Sequence, residues 1–148
     1  MFTKNSVFTR KKALLTVLGA ALLLAALMLL KWRADTAASL STAEGREKFL
    51  HSLGWEADIS SEEYRSVIIP ETLDGVMEEY ARMQLEQGFD LAAHCGERCE
   101  QYSYLLTNYP DCGGDVIITL YIRRGKLIAG DIHTAALDGF IHGIYRAG

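Results

Sequence analysis

Two groups of side chains in this sequence have the types and spacing for chemistry. The first is His94-Cys95 and Cys99, with Cys112 further along. Thiolate sulfurs and an imidazole suit tetrahedral zinc, and the separation of Cys95 from Cys99 falls within the range of zinc pairs. Structural zinc sites present two close pairs, however, whereas Cys112 stands alone beside Gly113-Gly114. Outside the cytoplasm a disulfide is the plainer chemistry. Three cysteines leave one over: Cys95 or Cys99 with Cys112 would staple the segment before a strand to its hairpin turn. Free thiols and metal or redox chemistry are the remaining readings.

The second group is Asp131, His133, Asp138 and His142. Should the turn after the last strand fold back, these four would form an oxygen-and-nitrogen cluster able to hold a metal or move a proton. The plainer reading gives each a structural task. Asp131 would accept backbone N–H bonds, and Asp138 with His142 would be a surface pair four residues apart. No metal or cofactor is assigned on this basis. No nucleophile elbow, phosphate loop, dinucleotide fingerprint or HExxH is found. Ser52-Leu53-Gly54 and Gly113-Gly114 lack the surroundings that would give them meaning.

The elements that must position these groups follow from periodicity. Ser41 with Glu44 makes a capping box for a short helix bearing Phe49, Leu50 and Leu53, stopped by Gly54. Trp55, Ala57 and Ile59 alternate as a brief extended piece, and Tyr64–Ile69 is a strand closed by Pro70. A longer helix is predicted over Glu71–Gln87, with Leu73, Val76, Met77, Tyr80 and Met83 on one face and Gly88 as its stop. Glu100–Thr107, Asp115–Arg123 and Lys126–Ile132 read as an antiparallel meander, with Arg124-Gly125 as its second turn. A two-residue loop there sets Ile122 against Leu127, Leu120 against Ala129 and Ile118 against Asp131. Tyr102, Tyr104 and Leu106 extend the same apolar face, and the long helix is its natural cover. Thr134 would cap a last helical turn carrying Leu137, Phe140, Ile141 and Ile144. The expected fold class is α+β: an N-terminal transmembrane helix, then a small domain whose three- to four-stranded antiparallel sheet is covered on one face by one long and one short helix.

Seven short stretches occur in a set order: Leu53-Gly54-Trp55, Ile69-Pro70, Gln87-Gly88-Phe89-Asp90-Leu91, Tyr102-Ser103-Tyr104, Asn108-Tyr109-Pro110, Gly130-Asp131, and Asp138-Gly139-Phe140-Ile141-His142-Gly143. Together they resemble an uncharacterised bacterial family catalogued as domain of unknown function 4830, over Arg46 to Ile144. The resemblance implies an N-terminal hydrophobic anchor and assigns no chemistry. The three cysteines stand outside its pattern.

Ahead of this domain lies Ala13–Leu30, eighteen uncharged residues. As a helix they span roughly 27 Å, close to a hydrocarbon core of about 30 Å. A signal peptide is the rival reading, but its apolar run is shorter and ends in a small-residue cleavage site, whereas this one ends at Lys31-Trp32-Arg33. Lys4, Arg10, Lys11 and Lys12 before the run outnumber Lys31 and Arg33 after it, which keeps the N-terminus in the cytoplasm. The expected organisation is a cytoplasmic basic tail (1–12), a transmembrane anchor (13–32), a linker (33–42) and an extracytoplasmic domain (43–148) at a bacterial plasma membrane. The whole chain carries −4, but Thr36 onward has 18 acidic and 9 basic side chains, a net −9. Such a domain repels phosphate backbones and anionic lipid heads, so nucleic acid is not an expected partner class. The leading expectation is a non-enzymatic module at the membrane, binding a protein, peptide or small-molecule ligand. The alternative is a small metal-dependent or hydrolytic enzyme using Asp131, His133, Asp138 and His142.

Overall fold

The computed structural model describes Val17 and residues 19–31, 40–110, 113–136 and 138–145. The chain divides into two units, Met1–Thr36 and Ala37–Gly148. In the first, residues 19–31 form a helix, α1, whose described leucines are more than half exposed. Among the described residues no helix is long and apolar enough to cross a membrane. The apolar run begins at Ala13, so its start, like the basic tail, Trp32 and most of the linker, lies outside the described residues.

The second unit is α+β. Its elements in order are α2 (Ala43–Ser52), β1 (Ala57–Ile68), α3 (Val76–Glu86), a 3-10 turn η1 (Leu91–His94), β2 (Arg98–Leu106), β3 (Val116–Arg123), β4 (Lys126–Thr134) and β5 (Ile141–His142). The strands form one antiparallel meander in sequence order, five strands rather than three or four. The extended piece expected near Trp55 and the strand expected at Tyr64 are parts of a single strand, β1. Its register against β2 shifts between Asp58 and Glu63, where the Asp58 carboxylate accepts from the Ser60 amide at 2.9 Å. That polar interruption is what splits the apolar pattern.

The turn at Arg124 (φ 51) and Gly125 (φ 72) forms as expected, and Ile122 faces Leu127. Beyond it β4 carries one extra residue. Tyr121 pairs with Ala129, Leu120 with Gly130, Thr119 with Asp131 and Ile118 with Ile132. The expected partners Ala129 and Asp131 are each displaced by one, and a one-residue slip sends a side chain to the other face. Ile132 thereby joins the apolar face, while Asp131 and His133 leave it.

That apolar face, with Tyr102, Tyr104, Ile118, Leu120, Ile122 and Ile132, is covered by the short helix α2 through Phe49, Leu50 and Leu53. Burying Leu50, 1 % exposed, contributes about 2 kcal/mol. The expectation that the long helix covers this face is corrected: Met77, Tyr80 and Ala81 of α3 lie with Cys99, Ala129 and Tyr121 on the opposite side. The helices therefore occupy two faces of the sheet. A polar side chain pins α2 in place. Arg46 is 3 % exposed and donates to Tyr104 Oη at 2.6 Å, Glu62 Oε2 at 2.7 Å and the Leu40 carbonyl at 3.1 Å. Its guanidinium also lies 3.7 Å from the centre of the Tyr102 ring, a favourable place for a cation. The cap of α2 is Thr42, which accepts from the Gly45 amide, and not Ser41.

Helix α3 starts five residues later than expected, because Gly75 sits at φ 52 and cannot belong to it. It ends as expected. The Phe89 amide returns to the Gln84 carbonyl at 2.9 Å and the Gly88 amide to Leu85, with Gly88 at φ 89. Val76 is exposed, and the buried side chain of the helix is Gln84. Its amide accepts from the Gly130 N–H and donates to the Gly130 carbonyl, both at 2.9 Å. One glutamine thus pairs with the outer edge of β4 as a neighbouring strand would. Gln87 extends the seam, donating to the same carbonyl at 3.1 Å and accepting from the Ile144 amide at 2.7 Å. After Thr134 the chain makes a turn and the two-residue strand β5, paired with Ile132 and His133, in place of the expected helical turn.

Candidate functional site

The slip in β4 builds the arrangement with most chemical capacity. Strand pairing sets Glu63, Ser103, Thr119 and Asp131 in one row across four strands, on the α3 side of the sheet. Ser103 and Thr119 share a hydroxyl hydrogen bond of 2.9 Å. Asp131, 3 % exposed, accepts from Tyr80 at 2.7 Å through one oxygen and meets His133 Nδ1 at 2.7 Å through the other. A carboxylate offers only acceptors, so Nδ1 carries the hydrogen, and in the neutral ring Nε2 is the acceptor.

Burial, and then the adjacent Asp131 charge, drives the Tyr80 phenol far above its usual value. The same two causes push Tyr121 up to about 12, with a hydrogen bond to Tyr80 working the other way. Both phenols are therefore neutral at any ordinary pH. The two rings meet edge to face at 6.3 Å.

Two hollows open on this side of the sheet. One, of about 550 Å³, is mixed, with Ser61, Glu63, Gln101, Ser103, Thr119 and His133 beside Leu105 and Ile117. The other, of about 650 Å³, is apolar and lined by Val67, Ile68, Met77, Tyr80, Tyr121 and Gln101. Gln101 borders both, so a hydrogen-bonding floor runs into an apolar cleft under the first turn of α3.

The four residues expected to converge are split between two places. Asp131 and His133 are in contact on the α3 side. His142 pairs in register with Ile132, and its Nε2 meets Tyr109 Oη at 2.8 Å. It belongs to an aromatic stack at the sheet end, with Phe140 at 5.3 Å and Tyr109 at 5.8 Å. Asp138 is exposed in the turn between β4 and β5. No three His, Cys, Asp or Glu side chains among the described residues are grouped to hold a metal ion.

Cys95 and Cys99 are free thiols, the second buried. Burial raises the Cys99 thiol, against the pull of Arg123. His94, the imidazole of the supposed zinc set, meets Glu97 at 2.7 Å, and Glu97 also pairs with Arg123 at 2.7 Å. Cys112 lies outside the described residues.

Tyr80, Gln101, Ser103 and Thr119 had no place among the expected site residues. A signal was present for one of them: Thr119 is a buried hydroxyl in the otherwise apolar run 116–122. Tyr80 was read as helix core, which it also is. The stretches behind the family resemblance fall mainly at structural joints. Leu53-Gly54-Trp55 closes α2, Gln87-Gly88-Phe89 closes α3, and Gly130 receives Gln84. No protein-family model, curated protein or solved structure matches this chain.

Proposed function

We propose that the chain is a non-enzymatic binding module held at a membrane by its apolar N-terminal segment. Its ligand site is the α3 side of the sheet, between the mixed hollow at His133 and the apolar cleft at Tyr80 and Tyr121. The observation that carries this reading is the junction of the two hollows at Gln101. A small molecule or peptide side chain with one hydrogen-bonding end and one apolar end fits it: the polar end reaches Ser103, Thr119 and His133, and the apolar end covers Met77, Tyr80 and Tyr121. Ligand sites generally combine mostly apolar walls with a few convergent polar groups. The test is nuclear magnetic resonance of the full chain in detergent micelles, titrated with a library of free amino acids and dipeptides. Binding shifts the signals of Gln101, Thr119 and His133 together, and His133→Ala weakens it; a library that moves none of the three defeats the reading.

A second reading has one observation in its favour. A carboxylate on Nδ1 with Nε2 open is how an imidazole is held to take a proton, so His133 is equipped as a general base. On that reading His133→Gln abolishes a turnover that Asp138→Asn and His142→Gln leave intact.

A further inference from the structure

The end of the sheet where the chain enters the second unit carries a basic hollow of about 910 Å³, bordered by Ser41, Tyr64, Ser66, Arg98, Arg123 and Arg124. We propose that this hollow docks on the phosphate-bearing headgroups of anionic phospholipids, in the same bilayer that holds the apolar segment. The inference rests on the membrane reading above and goes beyond it.

Four observations meet here. First, β2 begins at Arg98, β3 ends at Arg123 and β4 begins at Lys126, so strand order gathers their charges at one end. Second, the tight turn with Arg124 at φ 51 puts that guanidinium at the tip of the hairpin. Third, the local balance is inverted relative to the rest of the unit. Arg98, Arg123, Arg124 and Lys126 stand against Glu97 and Glu100, in a stretch whose overall balance from Thr36 onward is −9. Glu97 pairs with Arg123 and His94 and also feels the charge of Arg124, while Arg98 donates to the Ser66 hydroxyl at 3.1 Å; neither Arg98 nor Arg124 enters a salt bridge among the described residues. Fourth, Ser41 borders the hollow, ten positions after Lys31 at the end of α1. The first described residues of this unit therefore lie beside the hollow.

The chemistry suits an interface. Arginine pairs with phosphate in a bidentate manner, and each basic side chain near an anionic surface adds attraction that decays within a Debye length. Tyr64 is 56 % exposed at the rim, where an amphipathic ring is favoured at headgroup depth. Docked this way, the unit holds its remaining acidic surface away from the lipid. The mixed hollow at His133 lies at the opposite end of the strands and stays open.

The experiment is hydrogen exchange read by mass spectrometry on the full chain in lipid nanodiscs. Discs of phosphatidylcholine alone are compared with discs containing phosphatidylglycerol. Expected is about fivefold slower exchange in segments 98–101 and 122–127 in the anionic discs only. The difference should vanish in about 1 M salt, where the Debye length is roughly 3 Å, and in the double variant R98E/R124E, whose two sites are exposed and tolerate the change. Equal exchange in both discs overturns docking while leaving the anchor intact. Protection in phosphatidylcholine discs on adding inorganic phosphate overturns it in favour of a soluble anion. A chain that elutes apart from the discs overturns both readings at once.

Discussion

Gln84 allows the sharpest test of how this fold is closed. Its side chain is fully buried and supplies both bonds that β4 would otherwise make to a further strand. In Gln84→Met the Gly130 carbonyl keeps Gln87 at 3.1 Å, but its N–H loses its partner. An unsatisfied buried donor costs about 1–3 kcal/mol. For a domain of this size that lowers the melting temperature by about 5–15 °C. Gln84→Glu is more discriminating. Protonated, it reproduces the amide pattern, with its hydroxyl donating to the Gly130 carbonyl. Ionised, it sets a buried charge against that carbonyl, so its folded pKa lies above its unfolded one. The folded state then binds the extra proton, and stability falls as pH rises through the window between the two values. A rise of about two units amounts to about 3 kcal/mol by neutral pH, regained as pH falls towards 4. Thermal melts of the full chain in detergent, followed by circular dichroism at pH 5 and pH 8, read both effects. If Gln84→Met melts with the parent, or if the gap between Gln84→Glu and the parent is the same at both pH values, the side chain is not the edge partner described here.

Three further outcomes are expected. A Cβ on Gly130 would lie 3.0 Å from Ile144 Cγ2, 3.2 Å from Ile144 Cδ1, the atom that Ile144→Val removes, and 3.3 Å from the Thr119 carbonyl. Gly130→Ala should therefore cost about 1–3 kcal/mol in denaturant titrations, with part recovered when Ile144→Val is added. Burial works against an ionised Glu62, but hydrogen bonds from Tyr104 and Arg46 outweigh it and hold the carboxyl below its usual range. A depressed carboxylate stabilises the fold above its unfolded pKa of about 4.3 and ceases to do so as pH falls through its folded value. The stability gap between the parent and Glu62→Gln should accordingly close on the acid side, measured by melts from pH 7 downward. Iodoacetamide should modify Cys95 in the folded protein and Cys99, 2 % exposed and with its thiol raised, only in denaturant; peptide mapping distinguishes them.

Much of this architecture is written in local pattern. The alternation through Tyr102, Tyr104, Ile118, Leu120 and Ile122 gives two strands and their buried face, and Arg124-Gly125 gives the turn that joins β3 to β4. Gly54 and Gly88 mark where helices stop, because positive φ is a property of the residue itself. What stayed hidden is set by single residues acting over distance. Leu127-Ile128-Ala129-Gly130 is an unbroken apolar run, and nothing in it announces that Ile128 is the extra residue. That one position moved Asp131 and His133 to the other face and dissolved the expected cluster with His142. The covering helices were exchanged for a related reason. Arg46 and Gln84 decide where α2 and α3 lie, and both are polar side chains that a hydrophobic pattern assigns to solvent. The candidate site was thus half legible: Asp131 with His133 was anticipated, while Tyr80, Gln101 and the Ser103–Thr119 pair emerged only once the strands were in register.

The bond from Arg46 to the Leu40 carbonyl has a mechanical consequence. A pull transmitted along the polypeptide from its N-terminal side reaches that carbonyl before any strand, and Arg46 hands the load to Tyr104 and Glu62. Tension is thereby spread sideways into β1 and β2 and does not unzip the meander from one edge. Loss of α2 would bare the apolar side of the sheet, while the hydroxyl row at Thr119 on the other face keeps its place.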